Sequence, residues 1–238
     1  PQPAWSGPAR WDAFARRHNL PAMRNYDPVF HVTAAAGRVY FGSSVDDSVR
    51  CLGANNGEVL WTFTTGGPIR VAPTIAHDHV YFGSDDGFSY CVHAETGQES
   101  WRFSPADTSE LLLNNGRFIA PHPCRTGVMV EGDTAYFGCA LLPWQKAWLC
   151  AVDPGKGQPI GPGRFVQPLD GNTLEAPPAA SSKLLIFPQG RVAPLVFRRS
   201  DGKNLGPLKK SGGGSGVGVS LDARIIHGPG AEPREGAF

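Results

Sequence analysis

The segment VYFGSDDGFSYCVHAETGQESWRF, residues 80–103, contains the unit from which this chain is built. It has three short runs of aromatic and β-branched residues, at 80–83, 88–92 and 98–103, and polar turns such as SDDG separate them. Apolar runs that are divided by Gly, Asp and Ser are typical of an antiparallel meander. The segment therefore predicts three consecutive strands.

The same unit recurs along the chain. Residues 39–63 read VYFGSSVDDSVRCLGANNGEVLWTF, AYFG begins at Ala135, and a weaker match, LLIFPQGR, begins at Leu184. The first two units are 41 residues apart, from Val39 to Val80 (80 − 39). A repeat of about 40–45 residues with four strands is typical of a propeller blade, so we expect one further strand upstream of each unit. The prediction is an all-β fold, a partial β-propeller of four four-stranded antiparallel blades and the start of a fifth.

The last turn and strand of the unit carry a family resemblance. CVHAETGQESW, residues 91–101, resembles the tryptophan-docking motif of PQQ-type, quinoprotein-like β-propellers, AxDxxTGxxxW. The third unit has Gly161 where this motif has Trp. TTGGPIRVAPT, LLLNNGRF and CRTGV also resemble propeller repeat proteins of planctomycete-type bacteria. The resemblance implies blades held together by docking residues, which in this chain are Gly57, Trp61, Gly97, Trp101, Gly157 and Gly202.

The repeats divide the chain into three parts. We interpret residues 1–26 as a lead-in segment on the propeller rim, with a partner-binding arm as the alternative. Residues 27–208 hold blades one to four, and residues 209–238 hold a glycine-rich linker and a truncated fifth blade. Because propellers of this type usually close into a ring, the resemblance implies a partial chain. We therefore expect a protein partner or a missing propeller half to cover the open blade faces.

Composition and charge narrow the classes of partner. The net charge of +1 gives no field that would attract nucleic acid or an anionic membrane. No run approaches the roughly 20 apolar residues that cross a bilayer. The chain begins at Pro1 without a signal peptide, so we expect a processed product or an excised piece. The resemblance implies the periplasm or cell envelope of a bacterium.

The metal-ligating residue types lie in patterns that suggest structural roles. Cysteines at equivalent repeat positions indicate small buried side chains. The sequence does not decide whether Cys124 forms a disulfide with Cys139 or Cys150. The sequence contains no CxxC motif, so it does not indicate a zinc site. The His-Asp-His run at 77–79 and the Asp pairs before Gly are typical of hairpin turns. The five cysteines are Cys51, Cys91, Cys124, Cys139 and Cys150.

The repeat period breaks once. The spacing from Val80 to Ala135 is 55 residues (135 − 80), and the additional residues fall in the segment 105–125, which we call the insert. One interpretation of the insert is an Ω-like loop whose polar groups form hydrogen bonds within the loop itself. The other is a surface for a ligand or partner at the mouth of the central channel, because inserts in repeat arrays often carry the binding role. Trp144, on the loop 140–146, is a further contact candidate or fills the space left by the missing Trp at Gly161. The candidate binding residues are Asn114, Asn115, Arg117, His122, Arg125 and Trp144.

No reaction motif accompanies the repeats. The sequence has no P-loop, GxSxG or HExxH pattern, and it lacks the adjacent cysteine pair often found in PQQ-dependent dehydrogenases. We therefore predict no catalytic residue, metal ligand or cofactor, and a non-enzymatic scaffold or binding module of the cell envelope. The resemblance implies a role like that of the propeller lipoprotein of outer-membrane protein assembly. Two alternatives stay open: part of a quinoprotein alcohol or sugar dehydrogenase with PQQ and calcium, and an accessory propeller fused to a catalytic domain.

Overall fold

The computed structural model describes Arg17 and residues 32–114, 116–190, 192–208, 213, 217–219 and 225–227. Blade one comprises β1 Thr33–Ala35, β2 Arg38–Ser43, β3 Ser48–Gly53 and β4 Val59–Thr64. Blade two comprises β5 Thr74–Ala76, β6 His79–Gly83, β7 Ser89–His93 and β8 Glu99–Phe103. Blade three comprises β11 Met129–Glu131, β12 Thr134–Cys139, β13 Ala147–Val152 and β14 Phe165–Leu169. Blade four comprises β15 Ala179–Ala180, β16 Leu184–Phe187, β17 Leu195–Arg198 and β18 Asn204–Pro207.

Each blade is a four-stranded antiparallel meander with its strands in sequence order. The first strands of the blades lie side by side, because β5 contacts both β1 and β11. This arrangement confirms the prediction of an all-β, partial propeller of four-stranded blades. Two further hairpins are present: β9 Leu112–Asn114 with β10 Arg117–Ile119, and β19 Val217–Val219 with β20 Ile225–His227. Strand β19 lies against β15, the innermost strand of blade four.

The burial of the strands follows from the stacking of blades. The middle strands β6 and β7 are buried along most of their length, because other blades cover both of their faces. The outer strand β8 is mostly exposed, and Trp101 is its one buried residue. Apolar clusters fill the spaces between consecutive blades, with Phe82 between blades one and two, Phe137 between two and three, and Phe187 between three and four.

The five cysteines belong to these buried layers. All five are buried and are free thiols, so the structure has no disulfide among them. Cys51 and Cys91 stand opposite Tyr40 and Tyr81 in equivalent registers, as Ala151 stands opposite Tyr136. Burial raises the pKa of the Cys91 thiol to about 12. The expectation that the cysteines serve as small apolar residues is confirmed.

Tight turns join the first two strands of the blades. His77 and Asp78 both have positive φ, at 51° and 59°, which is the backbone of a two-residue hairpin turn. His77 Nε2 lies 3.3 Å from the Gly132 carbonyl oxygen, and His79 Nδ1 lies 2.6 Å from that of His77. The His-Asp-His run is therefore a hairpin turn, as the sequence predicts.

Two predicted segments fall largely outside the described residues. They are the lead-in segment 1–26, apart from Arg17, and the linker 209–216, apart from Gly213. Among the residues that the structure does describe, no helix has the length and apolar character needed to cross a bilayer.

Candidate functional site

The meanders place their turns at two opposite ends of the blades. At one end lie the turns between the first and second strands and between the third and fourth. We call this end the docking face. At the other end lie the turns between the second and third strands, the connections from blade to blade, and the insert, and we call this end the insert face. The insert contacts this end directly, because the Ala120 amide donates to the Asp85 carbonyl.

On the docking face, an indole of one blade packs against a glycine of the next. A Cβ at Gly97 would lie 2.7 Å from Cδ2 of Trp61, and Trp61 Nε1 donates to the Ala94 carbonyl at 3.0 Å. A Cβ at Gly157 would lie 2.4 Å from Cδ2 of Trp101. Trp101 Nε1 donates to the Pro154 carbonyl at 2.8 Å. Both glycines have positive φ, so the turn and the ring contact favour glycine together.

Blade three uses a different ring at the equivalent place. Phe165 pairs with Ala151, as Trp61 pairs with Cys51, and a Cβ at Gly202 would lie 2.4 Å from Cε2 of Phe165. Phe165 lies four positions after Gly161, because the loop before β14 is longer than in the other blades. Trp144 is 77% exposed and does not fill this space, so that interpretation was wrong. Gly57 occupies the equivalent turn of blade one, with φ of 69°.

The insert contains the hairpin β9–β10, so it is not an Ω-like loop. Asn114 pairs with Arg117, and Leu113 pairs with Phe118. Gly116 in its turn has φ of 78°, while Asn115 lies outside the described residues. The two faces of the hairpin differ: Ile119 is buried toward the blades, whereas Leu113 and Phe118 are 71% and 64% exposed.

Two arginines of the insert hold it on the blades. Arg117 Nη1 donates to Asp47 Oδ1 at 2.6 Å, and its Nη2 donates to the Val45 carbonyl. Arg125 donates from Nε and Nη2 to the Asp85 carboxylate at 2.9 and 2.8 Å. Arg70 Nε donates to the same carboxylate at 2.8 Å. These arginines therefore contribute to positioning the insert.

Burial and charge act in opposite directions on these carboxylates. Asp85 is only 1% exposed, and two guanidinium groups compensate its charge. Burial raises the pKa of Asp47 above its ordinary value, although Arg117 lowers it. The carboxylates of Asp85 and Asp86 raise the pKa of Asp47 further. The insert is thus attached through a partly desolvated network of charges.

A pocket opens beside the insert, next to the loop between β12 and β13. His122 lines it, and burial lowers the pKa of this imidazole, whereas a contact with the Lys146 backbone acts in the opposite direction. Trp148 of β13 lies on another part of its wall. The sequence does not single out Trp148 and Gln145, because they belong to an ordinary strand and a short loop. The lining residues are Pro105, Ala106, Asp107, Glu110, Pro121, His122, Gln145, Lys146 and Trp148.

Large apolar side chains are exposed on the insert and on the loop 140–146. Phe118 and Leu113 form a cross-strand pair on the hairpin, and Leu111, just before β9, is 58% exposed. Trp144 is exposed on the neighbouring loop. An apolar surface on a soluble fold often marks a protein interface. We call Leu111, Leu113 and Phe118 the apolar hairpin patch.

The carboxylates of Asp85 and Asp86 are engaged by protein partners. Within the described part of the chain, no three His, Cys, Asp or Glu side chains are grouped in a way that would hold a metal ion. Asp85 is bound by arginines, and Asp86 accepts from the Tyr90 hydroxyl at 2.7 Å and from the Gly66 amide at 2.9 Å. The arginines, the Tyr90 hydroxyl and the Gly66 amide therefore account for the bonds of these two carboxylates.

Comparisons with solved structures agree with the fold. BamB from Moraxella catarrhalis superposes with a TM-score of 0.61 at 14% identity, over 83% of this chain and 57% of that one. A europium-containing methanol dehydrogenase gives 0.56 at 14% identity, over 83% and 44%. Quinohemoprotein alcohol dehydrogenase from Comamonas testosteroni gives 0.54 at 18% identity, over 82% and 37%. The chain thus spans 57% or less of each of these structures, and the likeness shows the fold alone.

One family model matches most of the sequence. No curated protein sequence matches the chain. A family model described as outer membrane protein assembly factor BamB matches residues 6–205. The matched region contains blades one to three, the insert, and blade four as far as the start of β18. The chain therefore belongs to this BamB family of PQQ-type β-propeller repeats.

Proposed function

We propose that this chain is a non-enzymatic propeller module that binds a protein partner through its insert face. The apolar hairpin patch is the observation that carries the proposal. Leu113 and Phe118 stand on the outer side of a hairpin whose inner side is fixed to the blades by Arg117. Exposed apolar side chains on a well-anchored element form the type of surface that aromatic contacts at protein interfaces use.

The family supports a role in the bacterial cell envelope. Its model is described as an outer membrane protein assembly factor, and a BamB structure is among the similar structures. We infer by this likeness that the partner is an envelope protein. The dehydrogenase structures share the fold, but the described residues of this chain do not group into a metal site. The binding role is therefore the function that the geometry favours.

Site-specific photo-crosslinking tests the proposal. A photoreactive phenylalanine analogue replaces Phe118 in the full chain, which is expressed in a bacterial envelope and irradiated. We expect a discrete crosslinked protein, and we expect Leu113→Ser to reduce its yield because the two side chains form one patch. The same analogue at Leu205, which is 51% exposed in the outer strand β18, serves as the control.

Two results would overturn the proposal. One is equal crosslinking at positions 118 and 205, which would show no preference for the insert face. The other is no crosslinked product at position 118. In addition, saturable quenching of tryptophan fluorescence by PQQ with calcium would favour the dehydrogenase alternative.

A further inference from the structure

The pocket beside the insert has the size of a small-molecule site. Its volume is about 590 Å³, within the range of roughly 300–1,000 Å³ that is usual for such sites. One wall comes from the insert, at residues 105–110 and 121–122. The other comes from the β12–β13 loop and β13, through Gln145, Lys146 and Trp148. Two separate segments of the chain therefore border this open pocket.

Three buried polar atoms belong to the residues that line this pocket. They are His122 Nδ1, Gln145 Oε1 and Trp148 Nε1, and the described residues provide no hydrogen-bond partner for any of them. A buried polar atom without a partner costs about 1–3 kcal/mol, and native proteins leave few of them. Three residues with such atoms line one pocket, and this grouping points to a bound molecule that would complete the hydrogen bonds once the side chains turn toward it.

The chemistry of these atoms restricts that molecule. Gln145 Oε1 can only accept a hydrogen bond, whereas Trp148 Nε1 can only donate one. Burial lowers the pKa of His122, which favours the neutral imidazole, and the Nδ1 of a neutral imidazole donates or accepts according to the tautomer. The molecule must therefore donate to the glutamine and accept from the indole.

The two walls also differ in charge. The insert wall carries Asp107 and Glu110, and the Ser109 amide donates to Asp107 Oδ1 at 2.8 Å, which lowers the pKa of this carboxyl. The opposite wall carries Lys146, whose Nζ lies 5.8 Å from the ring centroid of Trp148. A cationic group is thus favoured toward the insert and an anionic group toward Lys146.

We propose that this pocket binds a small zwitterion of the amino-acid or short-peptide class. Its ammonium group lies toward Asp107 and Glu110, and its carboxylate lies toward Lys146 and the Trp148 N–H group. A simple anion is repelled by the two carboxylates, and a neutral polyol makes no use of the opposite charges. The site is independent of the apolar hairpin patch and needs no protein partner.

Heteronuclear NMR of the isolated protein tests this inference. The indole N–H signal of Trp148 is assigned by its loss in Trp148→Phe, and triglycine is then titrated into the millimolar range. We expect a saturable shift of this signal. N-acetyltriglycine amide, which lacks both charges, and maltose, a neutral polyol, should bind at least roughly tenfold more weakly, since 1.4 kcal/mol corresponds to a factor of ten.

Matched variants separate the pocket from the remaining surface. Gln145→Leu and Lys146→Met should each weaken triglycine binding by roughly tenfold, because the first removes a hydrogen-bond acceptor and the second removes the charge that faces the carboxylate. Gln98→Leu, at an exposed position on the docking face, should leave binding unchanged. The inference is overturned if triglycine produces no saturable shift, if maltose or the blocked peptide binds as well, or if Gln145→Leu has no effect.

Discussion

Trp101 and Trp148 show how differently the two faces of the propeller are used. Trp101 packs its ring on Gly157 and donates its N–H to the Pro154 carbonyl at 2.8 Å. Trp148 also has a buried N–H, but none of the described residues accepts from it, and its ring borders a pocket. On the docking face, the ring and the N–H group of Trp101 both make contacts between blades. On the insert face, the N–H group of Trp148 donates to none of the described residues.

Apolar side chains are buried on the docking face and exposed on the insert face. On the docking face, glycine turns and rings meet in close contact, so apolar area is buried between blades. On the insert face, charged bonds from Arg117 and Arg125 attach the insert, while Leu113 and Phe118 remain exposed. The contacts between blades on the docking face stabilise the fold, whereas the exposed side chains of the insert are available for binding. Substitutions on the two faces should therefore have separable effects.

The largest expected effect is that of Trp101→Ala. Loss of a large buried aromatic side chain should lower the free energy of unfolding by about 3–5 kcal/mol. Urea denaturation followed by circular dichroism measures it. Trp144→Ala is the control on the other face, because Trp144 is 77% exposed. A similar loss in both variants would mean that the indole contact between blades two and three contributes no special stability.

A smaller effect is expected from a methyl group at the docking turn. Gly157 and Gly132 both have positive φ, at 65° and 60°, so alanine is strained at either position. Only at Gly157 does the new Cβ meet a ring, since Gly132 has nothing within 4 Å. Gly157→Ala should therefore destabilise the protein by about 1–3 kcal/mol more than Gly132→Ala. Equal thermal shifts of the two variants would show that the backbone alone requires glycine there.

The smallest effect on folding is expected at the apolar hairpin patch. Leu113→Ser combined with Phe118→Ser should change the free energy of unfolding by less than about 0.5 kcal/mol, because both side chains are exposed. The same double variant should no longer bind the partner that the crosslink from position 118 captures. If urea denaturation instead shows a loss comparable to that of Trp101→Ala, the patch belongs to the core.

The blades were predictable from the sequence because each one carries its own local pattern. Apolar runs, polar turns and the Gly-to-Trp spacing all lie within one repeat, so the units around Trp61 and Trp101 are recognisable. Phe165 was missed because a longer loop shifts the docking ring away from Gly161. The hairpin of the insert had a signal that was not used, the Asn-Gly pair at 115–116 between apolar runs.

The pocket could not be predicted in the same way. Asp107 and Trp148 are far apart in the sequence, and only the folding of the insert against blade three brings them to one space. The property that singles out Trp148 is an N–H group without a partner among the described residues. Whether this N–H group finds an acceptor depends on all the atoms around it in the folded protein, so no local sequence pattern encodes the property. His122 was predicted, whereas Gln145 and Lys146 appeared only as part of a loop.

The most direct test compares Trp101→Phe with Trp148→Phe in urea denaturation. Both changes remove one indole N–H from a buried position and leave an aromatic ring. Trp101→Phe should lower the free energy of unfolding by about 0.5–1.5 kcal/mol, because the Pro154 carbonyl loses its 2.8 Å bond from the indole and keeps only the 3.3 Å bond from the Tyr81 hydroxyl. Trp148→Phe should lower it less, because only ring packing is lost and no hydrogen bond to a described residue is broken. If Trp148→Phe is as destabilising as Trp101→Phe, the two faces are not used differently and the account is wrong.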